Sequence, residues 1–389
     1  MRDPRPQPLG VHLTHMGQSL RLSVLDQSPV LEGSSPSHAL ANSLDLARHV
    51  DRLGYTRLWY SEHHAMDLLA CTAPEILIAR AAAETTRIRV GSGGIMLPHY
   101  SAFKIAEVFR TLHAMFPGRI DLGIGRAPGG GQMEAYALRR ARKAPVPDDF
   151  PQQLAELRAF LHPERFPADH AFRSIRVAPD APGAPDIWLH GSSMWSAVTA
   201  AQEGLPYAFA HFFSPVQTRQ AIEYYRANFQ PSPDRAAPEA TLAVGVICAD
   251  TDAEAQLLHA SVRLLQRRIR MDDRRPVAAP DDALRELAAL PAAPNPLLAF
   301  TAGSFDAPED NEWPRYFVGT PDRVATQLRG LAEQLHLNEV IVNTITHSHA
   351  ARRHSYALLA EAMGLARQES PASTTLGPAD TTLVAANGY

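Results

Sequence analysis

The feature that most constrains the fold of this chain is the alternation of eight short apolar runs with longer segments of helical periodicity. Such alternation is typical of βα units and predicts a parallel sheet. Because eight parallel strands close a barrel, we predict an α/β fold of the (β/α)8 type. The predicted strands, numbered in chain order, cover residues 20–26, 56–62, 88–97, 119–126, 186–192, 207–213, 240–249 and 338–347.

Two long stretches interrupt this alternation and predict insertions after strand 4 and between strands 7 and 8. They are residues 127–150 and 272–316, which are rich in glycine or proline. Loops of this length in a compact domain are commonly lids or disordered segments, and we interpret the second as a lid. The chain is thus predicted to contain a flexible extension over 1–18, the barrel over 19–366 and a disordered tail over 367–389.

The composition favours a small molecule as the partner. Hydrophobic residues make up 45% of the chain, which is enough for a large core, and the net charge is −4. A chain of this charge has no basic field for nucleic acid or for an anionic membrane surface. No window approaches the ~18–20 apolar residues that span a bilayer. Cys71 and Cys248 are far apart and form no disulfide framework, so we expect a cytoplasmic protein.

Polar residues end or follow most of the predicted strands. In a barrel of this type the active site lies at the carboxyl ends of the strands, so these residues are expected to converge there. They are Glu62-His63-His64 after strand 2, Ser92-Gly93-Gly94 within strand 3, Arg126 at the end of strand 4, Gly191-Ser192-Ser193 after strand 5, His211 in strand 6 and Thr346-His347 at the end of strand 8.

The stretch "HGSSMWS" joins strand 5 to a helix and predicts an anion site. Gly191, Ser192, Ser193 and Ser196 offer hydroxyls and backbone N–H groups at a helix N-terminus, where the dipole favours a phosphate. Arg126 on the neighbouring strand would add a positive charge. The alternative is that the serines only cap the helix, and the sequence alone leaves both interpretations open.

The paired glycines of "GSGGIMLP" are unusual inside a strand, where glycine loses entropy and packs no side chain. Gly93 and Gly94 indicate either a planar ligand against the backbone or an unusual peptide geometry, with a β-bulge as the alternative. The neighbouring "GIGRAPGGG" lacks the spacing of a dinucleotide-binding fingerprint. We therefore reject a Rossmann fold.

The tripeptide Glu62-His63-His64 raises the question of a metal site. A zinc site needs about three or four ligands, and a helical metalloprotease motif needs two histidines four residues apart. Because His63 and His64 are adjacent at a strand end, their side chains are expected to point to opposite sides. We therefore predict no metal, one histidine facing the barrel mouth and the other hydrogen-bonded outside it.

Four stretches taken together resemble the bacterial luciferase-like, flavin-dependent monooxygenases. They are "SEHH", "RIRVGSGGIMLPHYSAFKIAE", "FPGRIDLGIGRAPG" and "WLHGSSMWSAVTAAQEGLPYAFA". The resemblance extends from about Leu22 to Leu365. It is closest to the single-chain luciferase-like oxidoreductases that are often found beside secondary-metabolite pathways.

The resemblance implies a TIM barrel that binds reduced FMN at the carboxyl ends of its strands. It assigns the catalytic role beside the flavin to His63, and it places a non-proline cis peptide at Gly93-Gly94 beneath the ring. It implies that Glu62 lies in the layer of side chains that supports the residues around the flavin. It also implies that Arg126 and the serine-rich loop hold the phosphate. The cofactor-binding residues implied are Glu62, Gly93, Gly94, Arg126, Gly191, Ser192, Ser193 and Ser196.

Two positions depart from the luciferase pattern. Gly125 stands where the luciferase α-chain carries a reactive cysteine, and Ser192 stands where luciferase has a glutamate in its phosphate loop. These departures argue against a thiol at the flavin and against a long-chain aldehyde as substrate.

The function that the resemblance implies is a monooxygenase reaction. Reduced FMN from a separate, transient flavin reductase would react with O2, and one oxygen atom would pass to a small organic substrate, in a homodimeric enzyme of secondary metabolism. The first alternative is hydride transfer by a deazaflavin- or FMN-dependent oxidoreductase on the same barrel. The second is a non-catalytic flavin-binding protein.

Overall fold

The computed structural model describes residues 20–138, 148–291 and 312–366. The predicted extension over 1–18 and the predicted tail over 367–389 lie outside these ranges. The strands are β1 (Arg21–Asp26), β2 (Arg57–Tyr60), β3 (Arg89–Ser92), β4 (Ile95–Met96), β5 (Ile120–Gly125), β6 (Asp186–Gly191), β7 (Tyr207–Ala210), β8 (Ala240–Cys248), β9 (Tyr316–Gly319) and β10 (Glu339–Asn343).

The helices alternate with these strands and begin where the sequence supplies a start signal. For example, the side chain of Ser35 accepts a hydrogen bond from the N–H of His38, and Pro36 occupies the first helical position. None of the helices in the described ranges is both long and apolar enough to cross a membrane. The helices are α1 (Pro36–Arg52), α2 (Pro74–Glu84), α3 (Ala102–Met115), α4 (Gln132–Leu138), α5 (Phe150–Leu161), α6 (Met194–Gln202), α7 (Thr218–Ala227), α8 (Asp252–Arg270), α9 (Pro280–Ala289), α10 (Pro321–Gln334) and α11 (His349–Met363).

The described strands form a closed parallel barrel, which confirms the predicted (β/α)8 fold. The strand order is β1-β2-β3-β5-β6-β7-β8, and β10 closes the ring by pairing with both β8 and β1. All eight predicted strand segments contain a barrel strand, and predicted strands 4 and 5 correspond to β5 and β6. The carboxyl ends of these strands therefore meet at one end of the barrel.

Two features of the sheet differ from the predicted pattern. The predicted third strand divides into β3 and β4, and the Gly93–Gly94 peptide, which is cis, lies between them. In addition, β9 pairs with the second half of β8, starting at Gly245, which is also the last residue that pairs with β10. The aromatic ring of Tyr316 packs there against Gly245, where a Cβ atom would lie 2.4 Å from the ring. Strand β9 begins at Tyr316, which is the last residue of the predicted 272–316 insertion.

A buried ion cluster fills the amino-terminal end of the barrel. Arg57 on β2 donates to Glu339 on β10 (Nε to Oε1, 2.6 Å) and to Asp121 on β5 (Nη1 to Oδ2, 3.0 Å). Arg89 on β3 also donates to Asp121, from Nε at 2.8 Å. Burial alone would raise the pKa of Asp121, but the two arginines hold it below its ordinary value. The cluster thus joins four strands through fully paired charges.

We predict that Asp121→Asn destabilises the fold by about 3–5 kcal/mol at pH 7, since it removes the buried carboxylate shared by Arg57 and Arg89 and leaves Arg57 with Glu339 alone. Chemical denaturation of the variant and the wild type would measure this difference in unfolding free energy. The pKa of Asp121 is lowered in the folded state, so its contribution is complete above the ordinary value near 4. It is lost as the pH falls through the lowered pKa.

Asp186 provides the matched control, because it also pairs with Arg89 (3.0 Å) but its side chain is 44% exposed. Asp186→Asn is expected to cost less than about 1 kcal/mol, as solvent screens an exposed pair. Equal losses of stability in the two variants would contradict the structural role assigned to the buried cluster.

Candidate active site

A cavity of about 600 Å³ opens at the carboxyl end of the barrel. This volume lies in the range of small-molecule and cofactor sites. The cavity brings together the predicted catalytic residue and the predicted cofactor-binding residues, with the exception of Glu62. Those that line it are His63, Gly93, Gly94, Arg126, Gly191, Ser192, Ser193 and Ser196.

His63 lies just beyond the end of β2, with its ring on the cavity wall. Its backbone N–H donates to the carbonyl of Cys71 at 3.0 Å, and its Nδ1 lies 3.2 Å from Oγ of Ser61. Burial, with a smaller contribution from His64, lowers the pKa of His63 to about 4. Because this pKa is well below the ordinary value of ~6.5, the imidazole is neutral near pH 7.

Glu62 is fully buried and faces away from the cavity. Its carboxylate accepts hydrogen bonds from the hydroxyl of Tyr100 (2.8 Å) and the N–H of Met96 (3.0 Å), and it lies 2.7 Å from Nε2 of His64. The placement of Glu62 among the cofactor-binding residues is therefore corrected: it braces the segment that carries His63. His64 is hydrogen-bonded outside the cavity, as predicted.

The Gly93–Gly94 peptide forms part of the cavity wall and is cis, as the resemblance implied. A Cβ atom at Gly93 would lie 2.6 Å from Cδ1 of Leu25, and one at Gly94 would lie 2.8 Å from the backbone of Gly123. The backbone of Gly123 thus requires glycine at position 94, whereas at position 93 the nearest obstacle is the flexible end of the Leu25 side chain. The two glycines leave bare main chain on the cavity side.

The predicted anion site lies at the N-terminus of α6. Ser193 is the N-cap residue, but its side chain makes no capping hydrogen bond. Ser196 is already engaged: its hydroxyl donates to the carbonyl of Ser193 (2.6 Å) and lies 2.9 Å from the hydroxyl of Tyr207. Position 191 must be glycine for Ser196 to occupy this place, since a Cβ atom at 191 would lie 2.3 Å from Oγ of Ser196. Because the Ser193 side chain makes no capping hydrogen bond, helix capping does not explain why position 193 is a serine.

Arg126 lies at the same rim of the cavity, where β5 ends. Its guanidinium stacks over the ring of Trp195 at 4.2 Å and pairs with Asp148 at 3.1 Å. The side chain is 43% exposed, so it can reach an incoming ligand. Together with the N-terminus of α6, Arg126 gives this rim a positive character.

Two predicted histidines lie outside the cavity. Both ring nitrogens of His211 are engaged within the protein, with Oγ1 of Thr218 at 2.7 Å and the carbonyl of Pro314 at 2.9 Å. His347 lies 3.2 Å from the carbonyl of Glu32. Neither side chain lines the cavity, so both are corrected to structural residues.

Several cavity residues were not predicted, because they lie inside the strands rather than at their ends. Inward-facing and outward-facing residues alternate along each strand, so this period of two in the sequence was the signal that could have identified the inward-facing residues. Others lie on loops, where a single sequence gives little information. The residues missed include Leu25, Trp59, Met66, Met96, His190, Trp195, Ala208, Phe212, Phe213, Ala243 and Ile341.

The predicted lid is only partly described. Residues 292–311 lie outside the described ranges, and no residue of 272–291 or 312–316 lines the cavity. Arg274 does reach the rim, where it donates to the carbonyl of Ala65 at 3.3 Å and pairs with Glu134 at 3.5 Å. A lid over this cavity therefore stays a prediction.

The cavity is largely apolar. Among the described residues that line it there is no aspartate or glutamate, and Arg126, which pairs with Asp148 at the rim, carries the formal positive charge. In the described ranges no cluster of three or more histidine, cysteine or acidic side chains is arranged for a metal ion. The arrangement suits a ligand with an anionic group at the rim and a planar, apolar body inside.

We predict that His63 titrates near pH 4. Burial penalises the charged imidazolium, so the ring should remain neutral down to about pH 5. Histidine-labelled protein would be titrated by NMR, with the His63 signal identified by its absence in His63→Asn. A midpoint between pH 6 and 7 would contradict the buried, neutral state.

Comparisons with known proteins agree with this geometry. The sequence model of the luciferase-like monooxygenase family matches residues 20–338. The crystal structure of apo-MsnO8 is 48% identical, with a TM-score of 0.81, covering 90% of this chain and 100% of the other. An N-acetyl-S-alkylcysteine monooxygenase of Bacillus subtilis (strain 168) is 33% identical over 90% of this chain and its own full length.

A more distant structure shares the fold. It is the oxygenating constituent of 3,6-diketocamphane monooxygenase from Pseudomonas putida, in complex with FMN. It is 20% identical, with a TM-score of 0.64, covering 89% of this chain and 98% of the other. The family match over most of the chain is the finding that assigns it: this protein belongs to the luciferase-like monooxygenase family.

Proposed function

We propose that this protein is an FMN-dependent monooxygenase that uses reduced FMN and O2 to oxygenate a small organic substrate. The observation that carries the proposal is that one cavity contains three features. They are a positive rim at Arg126 and α6, a wall of bare main chain at Gly93–Gly94, and the neutral ring of His63. FMN has matching parts: an anionic phosphate, a planar ring and a reactive centre that exchanges protons.

The residues present fit reduced FMN. The guanidinium of Arg126, the free Ser193 hydroxyl and the first N–H groups of α6 would hold the phosphate. The Gly93–Gly94 main chain has no side chain on the cavity side, so a flat ring can approach it closely. The bound cofactor would supply the electrons that activate O2.

The chain's own contribution is to exclude water and to manage one proton. Phe212, Met66 and Met96 contribute apolar surface to the cavity, which would keep bulk water from the reacting atoms. His63 is neutral, so one ring nitrogen can accept a proton or a hydrogen bond while the other donates. Ser61, 3.2 Å from Nδ1, would orient the ring.

The relatives support oxygen transfer and FMN as the cofactor. A relative of 33% identity is named a monooxygenase, and a structure of the same fold holds FMN. We extend the proposal to a substrate from secondary metabolism, a separate flavin reductase as a transient partner, a homodimer and a cytoplasmic location. The buried free thiols of Cys71 and Cys248 agree with a reducing compartment.

The test of the proposal is anaerobic titration of the protein with photoreduced FMN, followed by mixing with oxygenated buffer and a panel of apolar substrates. Incorporation of one atom from 18O2 into a product, detected by mass spectrometry, is the expected result. Turnover of a substrate without oxygen would instead indicate hydride transfer. Flavin binding that yields only hydrogen peroxide with every substrate would indicate a flavin-binding protein.

We predict that Arg126→Ala weakens binding of reduced FMN by about 10-fold or more, the usual scale for a charge-assisted contact. Riboflavin binding should change far less, because riboflavin lacks the phosphate. Anaerobic fluorescence titrations with both flavins would measure the two dissociation constants.

Asp148→Asn is the matched control for this experiment. It keeps Arg126 and removes the carboxylate that pairs with it at 3.1 Å, so FMN should bind at least as tightly as in the wild type. If Arg126→Ala weakened both flavins equally, the phosphate role of Arg126 would be wrong.

We predict that His63→Ala slows oxygenation by about 100-fold or more, the typical effect of a proton-transfer group. Reduced FMN should bind nearly as in the wild type, because the ring makes no charged contact at neutral pH. Single-turnover kinetics under saturating flavin would separate the two effects. The exposed His38 on α1 serves as the control position, and unchanged turnover in His63→Ala would exclude the assignment.

A further inference from the structure

Gln27 is a polar residue of the cavity wall that the proposed chemistry leaves unused. It follows β1 directly, and it lines the cavity together with Leu25, two residues earlier. Alternate residues of a strand point to the same side, so Gln27 continues the inward-facing row of β1. Leu25 belongs to the apolar cluster inside the barrel, together with Trp59 and Ile341, which agrees with this direction. The side chain of Gln27 therefore points into the mouth of the barrel.

The amide of Gln27 is unpaired, and the cavity gives access to it. The residue is 7% exposed, so its surroundings are those of a buried side chain. Its nitrogen and oxygen make no hydrogen bond to any described residue, yet neither atom is among the fully enclosed polar atoms that lack a partner. The amide can thus be reached from the cavity that it lines. An amide in apolar surroundings needs a partner, which a bound molecule can supply.

The backbone on both sides of Gln27 is held by hydrogen bonds. The carboxylate of Asp26 accepts from the N–H of Ser28 and from Nη2 of Arg352, each at 2.8 Å. The carbonyl of Asp26 accepts from the N–H of Ser61 at 3.1 Å. Ser28 has a φ of 51°, in the left-handed region that residues other than glycine rarely adopt. The fold therefore sets the direction of Gln27 before any ligand binds.

The position of Gln27 in the ring of strands places it across the cavity from the proposed phosphate site. The closed order β1-β2-β3-β5-β6-β7-β8-β10 puts β1 four strands from β6 in either direction. The serine loop follows β6, whereas Gln27 follows β1, and His63 follows the adjacent strand β2. Gln27 therefore lies at the end of the cavity away from the phosphate site, on the strand next to that of the proposed proton-transfer residue.

The cavity wall at this end is neutral. Arg126 is the charged residue among the described residues that line the cavity, and it follows β5, three strands from β1. The strands nearer to β1 contribute apolar side chains, such as Ile341 on β10 and Ala243 on β8. A charged substrate group would lie here without a counter-ion, which is unfavourable. A neutral group can pair with the amide, which donates to a carbonyl and accepts from a hydroxyl.

We propose that Gln27 binds the substrate, and that the substrate is a largely apolar molecule whose neutral hydroxyl or carbonyl group hydrogen-bonds to this amide. The inference rests on the proposed function and names the substrate class of the same site. The hydrogen bond would hold the substrate at the end of the cavity where His63 lies, with its apolar part against Leu25 and Ile341.

The test uses two pairs of ring compounds that differ in one polar group: p-cresol against p-xylene, and acetophenone against α-methylstyrene. Ligand-detected NMR titration would measure their affinities for the wild type and for Gln27→Met, each saturated anaerobically with photoreduced FMN. Methionine has a similar shape but forms no comparable hydrogen bond. We expect Gln27→Met to weaken binding of each polar compound by about 3- to 10-fold relative to its apolar partner, the usual effect of one neutral hydrogen bond.

Gln153→Met is the matched control for this experiment. Gln153 is also buried, but it lies outside the cavity, where its Nε2 donates to the carbonyl of Tyr100 at 3.2 Å. This variant should unfold at a lower temperature and keep the selectivity of the wild type. Gln27→Met removes no hydrogen bond within the described protein, so its unfolding temperature should equal or exceed that of the wild type.

Each other outcome decides against a stated claim. Equal selectivity between the paired compounds in Gln27→Met and the wild type would overturn the inference and leave the proposed function intact. Failure of the wild-type flavin complex to bind any of these compounds would have the same consequence. So would weaker binding of both FMN and riboflavin with unchanged selectivity, since the amide would then contact the flavin. A wild-type protein that binds no FMN would overturn the proposed function together with the inference.

Discussion

The pairing of Arg57 with Glu339 and Asp121 is the interaction on which the rest of this barrel depends. A closed ring of eight strands encloses an interior that must be filled, and charged groups there are tolerated only when paired. Arg57 links β2 to β10, the strand that closes the ring, while Asp121 and Arg89 bring in β5 and β3. The fold is thereby fixed at the end opposite to the cavity, so the carboxyl end is free to serve a ligand.

The interior changes character along the barrel axis. Above the ion cluster lie Trp59 and Trp188, whose rings pack edge to face with centroids 5.3 Å apart. The guanidinium of Arg57 lies over Trp188 at 4.8 Å, so the aromatic layer also faces the charges. On the other side Trp59 supports His190 and the cavity. The ligand site therefore rests on a rigid stack of side chains.

Much of this architecture could be predicted from the sequence, and the exceptions have physical reasons. The eight barrel strands were predicted because buried parallel strands read as apolar runs, which local sequence reveals. β9 was missed because "YFVG" is short and follows a long stretch of sequence rich in proline. The insertions were predicted from composition alone, and part of each lies outside the described residues.

The site was predictable where polar residues end strands and unpredictable where tertiary contacts decide. His63 and Arg126 were predicted because a polar residue after an apolar strand stands out. His211 has the same local appearance, yet Thr218 and Pro314 occupy its nitrogens, a fact that no local pattern contains. The lowered pKa of His63 likewise comes mainly from burial, which the tertiary packing decides.

The close packing behind Gly93 and Gly94 has a consequence for how such a site can diversify. No larger residue fits at Gly94 without moving the backbone of Gly123, so this part of the cavity wall stays the same surface whichever ligand is selected. Variation is left to side chains such as Met66, Phe212 and Phe213, which line the cavity without being locked between strands. Under the proposed function, the main chain would contact the cofactor and the side chains would select the substrate. The substrate-selecting side chains could then be redesigned without disturbing the contact with the cofactor.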